Sequence, residues 1–296
     1  MKLVVFTKVA SSGQPGSGYR IGALLDNVRI ADLTPEFLGN GLSRTDLLKC
    51  FDLALDFITP AAHAIRSGAA NILEREEVHL EPPVPRPGKI ICIGLNYRDH
   101  AEESGMAIPT SPIIFSKFST SVIGPDSAIE LPAGSSEVDY EAELGVVIGR
   151  RAKNVSAADA MNFVFGYTNF NDVSARDMQF ADGQWQRGKS CDTFAPMGEF
   201  VATCDEIKDP LDLRISFRLN GETLQDSSTG QMIFRIPELI EFISKTITLE
   251  PGDVIATGTP PGVGFARTPK IFLKDGDTAE VAIEGLGVLK NPVIQK

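Results

Sequence analysis

The segment Val138-Asp139-Tyr140-Glu141-Ala142-Glu143-Leu144-Gly145-Val146-Val147-Ile148 constrains the fold more than any other stretch of the chain. Its apolar and β-branched residues predict a strand over 138–149, and side chains on a strand alternate between faces. Asp139, Glu141 and Glu143 then share one side, with Tyr140, Ala142 and Leu144 on the other. Carboxylates crowded on one face repel one another and resist desolvation unless positive charge sits among them. Two glutamates at i and i+2, leading into Val146-Val147-Ile148, suggest oxygen ligands for a hard divalent cation. A solvated outer face of an antiparallel sheet gives the same alternation, and the strand alone leaves both readings open.

With 296 residues the chain can form one large domain or two unequal ones. Its net charge of −11 argues against a nucleic-acid partner. A small anionic substrate stays open, because a metal or a few Lys and Arg can reverse the field inside a cleft. No apolar run approaches the ~20 residues that would span a bilayer, so a membrane association is not expected. The apolar stretch Leu3-Val4-Val5-Phe6 is too short for a secretory signal and reads as a first strand. Cys50, Cys92, Cys191 and Cys204 are scattered without a C-x-x-C pair, which suggests free thiols in a reducing cytoplasm. His63, His79 and His100 lack the spacing of a structural zinc site.

Residues 1–80 read as a small α+β module. Strands are predicted over 3–9, 19–25 and 28–33, with a turn at Asp26-Asn27. Leu47, Leu48, Phe51, Leu55, Ile58 and Ile65 recur at helical spacing within 43–68, and Thr59-Pro60 is expected to divide that region into two helices. The Pro-rich run 81–88 forms a stiff linker, and 89–296 form the main domain. Strands are predicted there over 90–94, 112–116, 138–149, 165–170, 211–219 and 278–283, with a hairpin turn at Asn220-Gly221. Short amphipathic helices are predicted over 156–163 and 237–245. The fold class is mainly β with peripheral helices (α+β), with a sandwich or barrel-like core.

Four segments carry side chains suited to chemistry. In Asn96-Tyr97-Arg98-Asp99-His100-Ala101-Glu102-Glu103, a helix starting near Asp99 puts His100 and Glu103 on one face. A carboxylate there orients the imidazole as a base that takes a proton from water, although a plain surface helix start reads the same way. In Asn171-Asp172-Val173-Ser174-Ala175-Arg176-Asp177, Ser174 and Asp177 resemble a capping box. Asp172 then sits at a strand end as a turn residue or a third oxygen ligand, and Arg176 and Gln179 can face the same cleft. Arg187-Gly188-Lys189-Ser190 supplies a flexible cation beside a small loop. Finally, Gly258, Gly262 and Gly264, in the loop after 249–257, would let backbone N–H groups approach a ligand closely.

Together these segments resemble the fumarylacetoacetate hydrolase superfamily. The motifs run in order: Gly-x-Asn-Tyr-x-x-His-x-x-Glu, Glu-x-Glu-Leu-Gly, Asn-Asp-x-Ser-x-Arg-Asp and Gly-Thr-Pro-x-Gly-Val-Gly. The resemblance spans the chain from about residue 88 to its end and implies a mixed β-sandwich roll, usually dimeric. It implies that Glu141, Glu143 and Asp172 hold Mg²⁺, with Mn²⁺ or Ca²⁺ as substitutes. It also implies that His100 and Glu103 activate water, that Lys189 steadies substrate oxygens, and that Arg176, Gln179 and Thr259 hold the substrate's carboxylate and carbonyl groups.

The expected activity is hydrolytic cleavage of a C–C bond in a 2,4-diketo acid of the acylpyruvate type, releasing pyruvate and a second acid. The same site would also support oxaloacetate decarboxylation, isomerisation or hydration of 2-keto dienoates, or ureidoglycolate cleavage. A non-catalytic metal-binding protein is the alternative from another class.

Overall fold

The computed structural model describes residues 1–9, 16, 18–35, 54–181 and 183–296. The first elements are β1 (Lys2–Lys8), β2 (Arg20–Leu24), β3 (Arg29–Asp32), α1 (Ala54–Ser67), β4 (Asn71–Glu74) and β5 (Val78–Glu81). Asp26 builds the predicted turn, its Oδ1 accepting the N–H groups of Val28 and Arg29 at 3.0 and 2.8 Å. α1 runs straight through Pro60, where the sequence predicted a division. Pro60 faces solvent, so the helix loses one internal bond at a wetted position. Ile58, Ala61 and Ile65 meanwhile keep the helix packed on the sheet beside Leu3, Ile21 and Leu33. The helix expected before it, with Leu47, Leu48 and Phe51, lies outside the described residues, as do Cys50 and the side chain of Leu55.

The next run comprises β6 (Ile90–Gly94), α2 (Arg98–Glu103), β7 (Ile113–Lys117), β8 (Val122–Ile123), β9 (Ile129–Leu131), β10 (Val138–Asp139), β11 (Ala142–Ile148), β12 (Val164–Asn171) and β13 (Ser174–Ala175). It continues with α3 (Arg176–Ala181), α4 (Gln186–Lys189), β14 (Ala195–Pro196) and β15 (Val201–Thr203). The last elements are β16 (Arg214–Leu219), β17 (Glu222–Ser228), α5 (Ile236–Thr246), β18 (Val254–Ala256), β19 (Thr278–Ile283) and β20 (Gly287–Gln295). The chain is mainly β with short peripheral helices, as its strand density predicted.

One 11-stranded sheet runs β4-β3-β2-β1-β15-β12-β11-β18-β6-β7, with β5 also paired to β1. A second sheet runs β17-β16-β19-β20-β9. Antiparallel pairing of β1 with β15 makes the sheet continuous from the N-terminal strands into the rest of the chain. Leu144, Val146, Ile148, Tyr167, Ile215, Phe217, Val281 and Leu289 share one core cluster. Val147, Phe165 and Val254 join Leu3, Ile21 and Ala61 in another. β11 is therefore buried on both faces, which explains its unbroken Val-Val-Ile run.

Three predicted elements change shape. The strand expected over 138–149 breaks at Tyr140-Glu141, so that β10 pairs with β13 while β11 pairs with β12 and β18. The helix expected over 156–163 shrinks to a 3₁₀ turn at Ala160–Phe163. The backbone closes i to i+3 turns there, the Asp159 N–H donating to the Ser156 carbonyl at 3.1 Å and the Asn162 N–H to the Asp159 carbonyl at 3.0 Å. The strand expected from 211 starts at Arg214, because Asp209 accepts the Leu211 N–H and holds a turn there.

Candidate metal centre and active site

The break before β11 sets the site. Tyr140 turns inward and stacks on Phe217, with ring centroids 4.0 Å apart. Asp139 leaves the acidic face predicted for it. Its carboxylate takes Arg176 Nε at 2.9 Å and the N–H groups of Gly264 and Phe265 at 2.7 and 3.0 Å. Glu141 and Glu143 remain, and the register pair Ala142↔Asn171 brings Asp172 beside them from the end of β12. The Asp172 N–H donates to the Glu141 carbonyl at 2.9 Å, and the Glu141 N–H donates to Asn171 Oδ1 at 3.1 Å. Glu141, Glu143 and Asp172 thereby offer ligand oxygens that all lie within 4.8 Å of one another, and all three residues are buried.

Three buried cations face these groups. Lys189 Nζ donates to Glu141 Oε2 at 2.7 Å and to Asp172 Oδ2 at 2.9 Å. Lys117 Nζ bonds Asp172 Oδ1 and, at 2.9 Å, the Val173 carbonyl. Arg176 reaches Glu141 Oε1 at 2.6 Å, besides Asp139 and Gln179 Oε1. Glu143 contacts none of them, and its Oε2 accepts the Gly258 N–H at 2.9 Å. The charges set the protonation of both glutamates. Burial alone would raise Glu141, but Lys189 and Arg176 outweigh it and hold its carboxyl down to about 2. Burial pushes Glu143 well above the ordinary carboxylate range, and Asp172 and Glu141 push it further. Burial would lower Lys189, yet Asp172 and Glu141 hold it above its usual value.

An all-oxygen donor set with one uncompensated carboxylate fits a hard divalent cation. Asp139, Glu141, Glu143 and Asp172 exceed Lys117, Arg176 and Lys189 by one negative charge, and that excess falls on Glu143. A proton or a cation at Glu143 relieves it.

The helix expected near Asp99 is α2, and it carries the predicted pair. His100 Nδ1 lies 3.1 Å from Glu103 Oε2. His100, Glu103, Lys189, Arg176, Gln179 and Thr259 line one cavity of about 500 Å³ together with Glu141 and Glu143. Asp172, the third member of the triad, is buried beside the two glutamates and is not itself a lining residue. The sequence motifs thus meet in one place although they are spread from residue 100 to residue 259.

The local expectations fare unevenly. Lys189, read as a flexible cation, is fixed and almost wholly buried. Ser174 and Asp177 make no capping box. Ser174 Oγ donates to the Asp172 carbonyl, while Asp177 accepts from Ser135 Oγ and the Ser136 N–H. The N–H groups of Gly258, Gly262 and Gly264 bind the protein's own carboxylates, Glu143, Glu103 and Asp139, and not a ligand. Lys117 escaped the sequence reading, since one lysine at a strand end carries no signal. Two buried amides escaped it as well. Asn96 Nδ2 donates to the carbonyls of Thr257 and Phe234, and Gln225 Nε2 donates to Thr259 Oγ1 at 2.8 Å. The Gly-x-Asn-Tyr pattern at a strand end was the available sign for Asn96.

Residues 89–294 match the family described as fumarylacetoacetate (FAA) hydrolase C-terminal. The chain belongs to the fumarylacetoacetate hydrolase family. A mitochondrial oxaloacetate tautomerase of Rattus norvegicus is 50% identical over 224 residues, covering 75% of this chain and 72% of that protein. A fumarylacetoacetate hydrolase domain-containing protein 2 homolog of Dictyostelium discoideum is 51% identical over 229 residues, covering 74% and 75%. Among solved structures, the fumarylacetoacetate hydrolase of Exiguobacterium antarcticum aligns with a TM-score of 0.84 at 35% identity, covering all of both chains. Maleylpyruvate hydrolase of Sphingobium sp. SYK-6, in complex with manganese (II) ion and pyruvate, aligns at 0.81 and 29% identity, covering 100% of this chain and 99% of that one.

Proposed function

We propose that this chain is a divalent-metal-dependent enzyme that interconverts the keto and enol tautomers of a short 2-oxo dicarboxylate, oxaloacetate in the first instance. One observation carries the reading: a histidine base, braced by Glu103, shares a single cavity with Glu141 and Glu143 of a buried carboxylate triad. The 50% identity to a relative named oxaloacetate tautomerase supports proton transfer over C–C cleavage as the first reaction. Glu141, Glu143 and Asp172 would hold the cation, Mg²⁺ by preference with Mn²⁺ or Ca²⁺ as substitutes, and when bound it polarises the 2-oxo group.

The protein's own groups account for the proton. Glu103 engages Nδ1 of His100, which leaves Nε2 to take the proton from C3 of the substrate. Lys189 stays charged and faces the negative charge that develops on the 2-oxo oxygen. Return of the proton from His100 Nε2 to that oxygen gives the enol, and reversal gives the ketone. Arg176 is locked on Asp139 and Glu141, so its first task is to hold the triad in shape.

Hydrolysis of an acylpyruvate is the second reading. There His100 would take its proton from water, which then attacks the distal carbonyl and releases pyruvate and a second acid. The structural likeness to a maleylpyruvate hydrolase favours it, as does a cavity with room beyond a four-carbon acid. The test incubates Mg²⁺-loaded protein with oxaloacetate and with 2,4-diketo acids, following enol absorbance and pyruvate. Fast keto–enol equilibration without pyruvate above the spontaneous rate supports tautomerisation. Stoichiometric pyruvate from the diketo acids supports hydrolysis. Turnover unaffected by EDTA would sink both.

A further inference from the structure

The cavity is charged at its inner end and apolar along its outer wall. Lys189 and Arg176 stand at the triad, whereas Met106, Phe180 and Phe265 form the exposed lip. The ring of Phe265 is flanked by two cations. The Arg176 guanidinium carbon lies 6.0 Å from its centroid, and Lys270 Nζ lies 4.0 Å from it. Arg176 is committed to Asp139 and Glu141, and Arg267 nearby is spent on the carbonyls of Gly262 and Leu224. Lys270 differs. Among the described residues its ammonium rests only on the rings of Phe265 and, at 5.9 Å, Phe272, with no carboxylate paired to it.

An exposed lysine is ordinarily just solvated. Here the ring that holds it lines the substrate cavity, while Lys270 itself is not among the lining residues and stands 4.0 Å from that ring's centroid. A cation over an exposed ring is held weakly, by about one hydrogen bond's worth or less, and swings readily to a carboxylate.

We propose that Lys270 is a specificity residue that receives the distal carboxylate of a dicarboxylic 2-oxo acid whose 2-oxo end lies at the triad. The assignment rests on the functional reading above and adds the residue that selects the second carboxylate. A monocarboxylic 2-oxo acid has no distal carboxylate to offer and gains nothing from Lys270.

The experiment is calorimetric titration of the Mn²⁺-loaded protein with pyruvate and with 2-oxoglutarate, for wild type, Lys270→Met and Lys270→Arg. Wild type binds 2-oxoglutarate more tightly than pyruvate. Lys270→Met weakens 2-oxoglutarate about tenfold, the loss of one partly solvated charge-assisted bond, and leaves pyruvate unchanged. Lys270→Arg keeps the preference. If Lys270→Met weakens both acids equally, or retains the wild-type preference, the role of Lys270 is overturned while the functional reading stands. If neither acid binds the Mn²⁺-loaded wild type, the functional reading falls and this assignment falls with it.

Discussion

The backbone N–H of Gly262 donates to both carboxylate oxygens of Glu103, at 3.0 and 3.1 Å, and so fixes the group that braces His100. Gly262 has φ of 98°, and a Cβ there would sit 2.1 Å from the Leu224 carbonyl oxygen. Gly262→Ala therefore has to displace the loop. The expected result is a fall in kcat of about 100-fold, from misplacing the base, with divalent-metal affinity kept because no triad ligand touches Gly262. Steady-state kinetics beside metal titration checks it. Loss of metal affinity in step with kcat would contradict the separation of the two halves.

His100→Asn removes the base and leaves the triad intact. Turnover is expected to fall about 10²–10⁴-fold, the usual worth of a positioned base, with little change in metal binding. If the variant keeps full tautomerase activity, His100 is not the proton carrier.

Much of this arrangement was legible in the sequence, and the failures share a cause. His100 with Glu103, and Glu141 with Glu143, lie close along the chain, where helix and strand periods fix their relation. Asp172 was visible because a strand end offers few roles for an aspartate. Asp139 was misjudged because the alternation assumed an unbroken strand, and the break at Tyr140-Glu141 is a tertiary effect of pairing β10 with β13. Lys117 and Gln225 were invisible, since each meets its partner, Asp172 or Thr259, only after distant segments pack. The glycine loop was read correctly as exposed N–H groups and wrongly as a ligand cradle, because their acceptors come from 103, 139 and 143.

Glu143→Gln separates the metal from the fold. Glu143 carries the uncompensated charge, so its neutral isostere leaves the metal-free protein as stable as wild type or more so. Added Mg²⁺ or Mn²⁺ raises the melting temperature of wild type by mass action, and the variant loses that gain. Thermal melts with and without EDTA measure it. Equal metal-induced shifts in both proteins would remove Glu143 from the ligand set.

Lys117→Met has the opposite character. Lys117 is fully buried against Asp172 and the Val173 carbonyl, and its loss strips a buried carboxylate of one partner. Breaking a buried pair costs about 3–5 kcal/mol, so denaturant midpoints should drop sharply even with metal absent. A change within about 0.5 kcal/mol, the range of ordinary surface substitutions, would mean that Lys189 compensates unaided.

Metal uptake should release protons, in a direction the two glutamates dictate. Glu141 is held down to about 2 and is already ionised above that pH, so it contributes no proton. Glu143 is pushed above the ordinary range by burial and by Asp172 and Glu141, so the metal-free protein keeps a proton there. A raised carboxylate favours the neutral form. The metal-free protein therefore loses stability as pH climbs from the ordinary glutamate value towards the raised one, while apparent metal affinity grows over the same window. Calorimetric titrations at several pH values, each in two buffers of different ionisation enthalpy, count the protons. Release is expected to approach about one per metal at the acid end of that window and to vanish above it. Buffer-independent heats throughout would show that Glu143 binds metal without giving up a proton, contrary to the charge balance of the site.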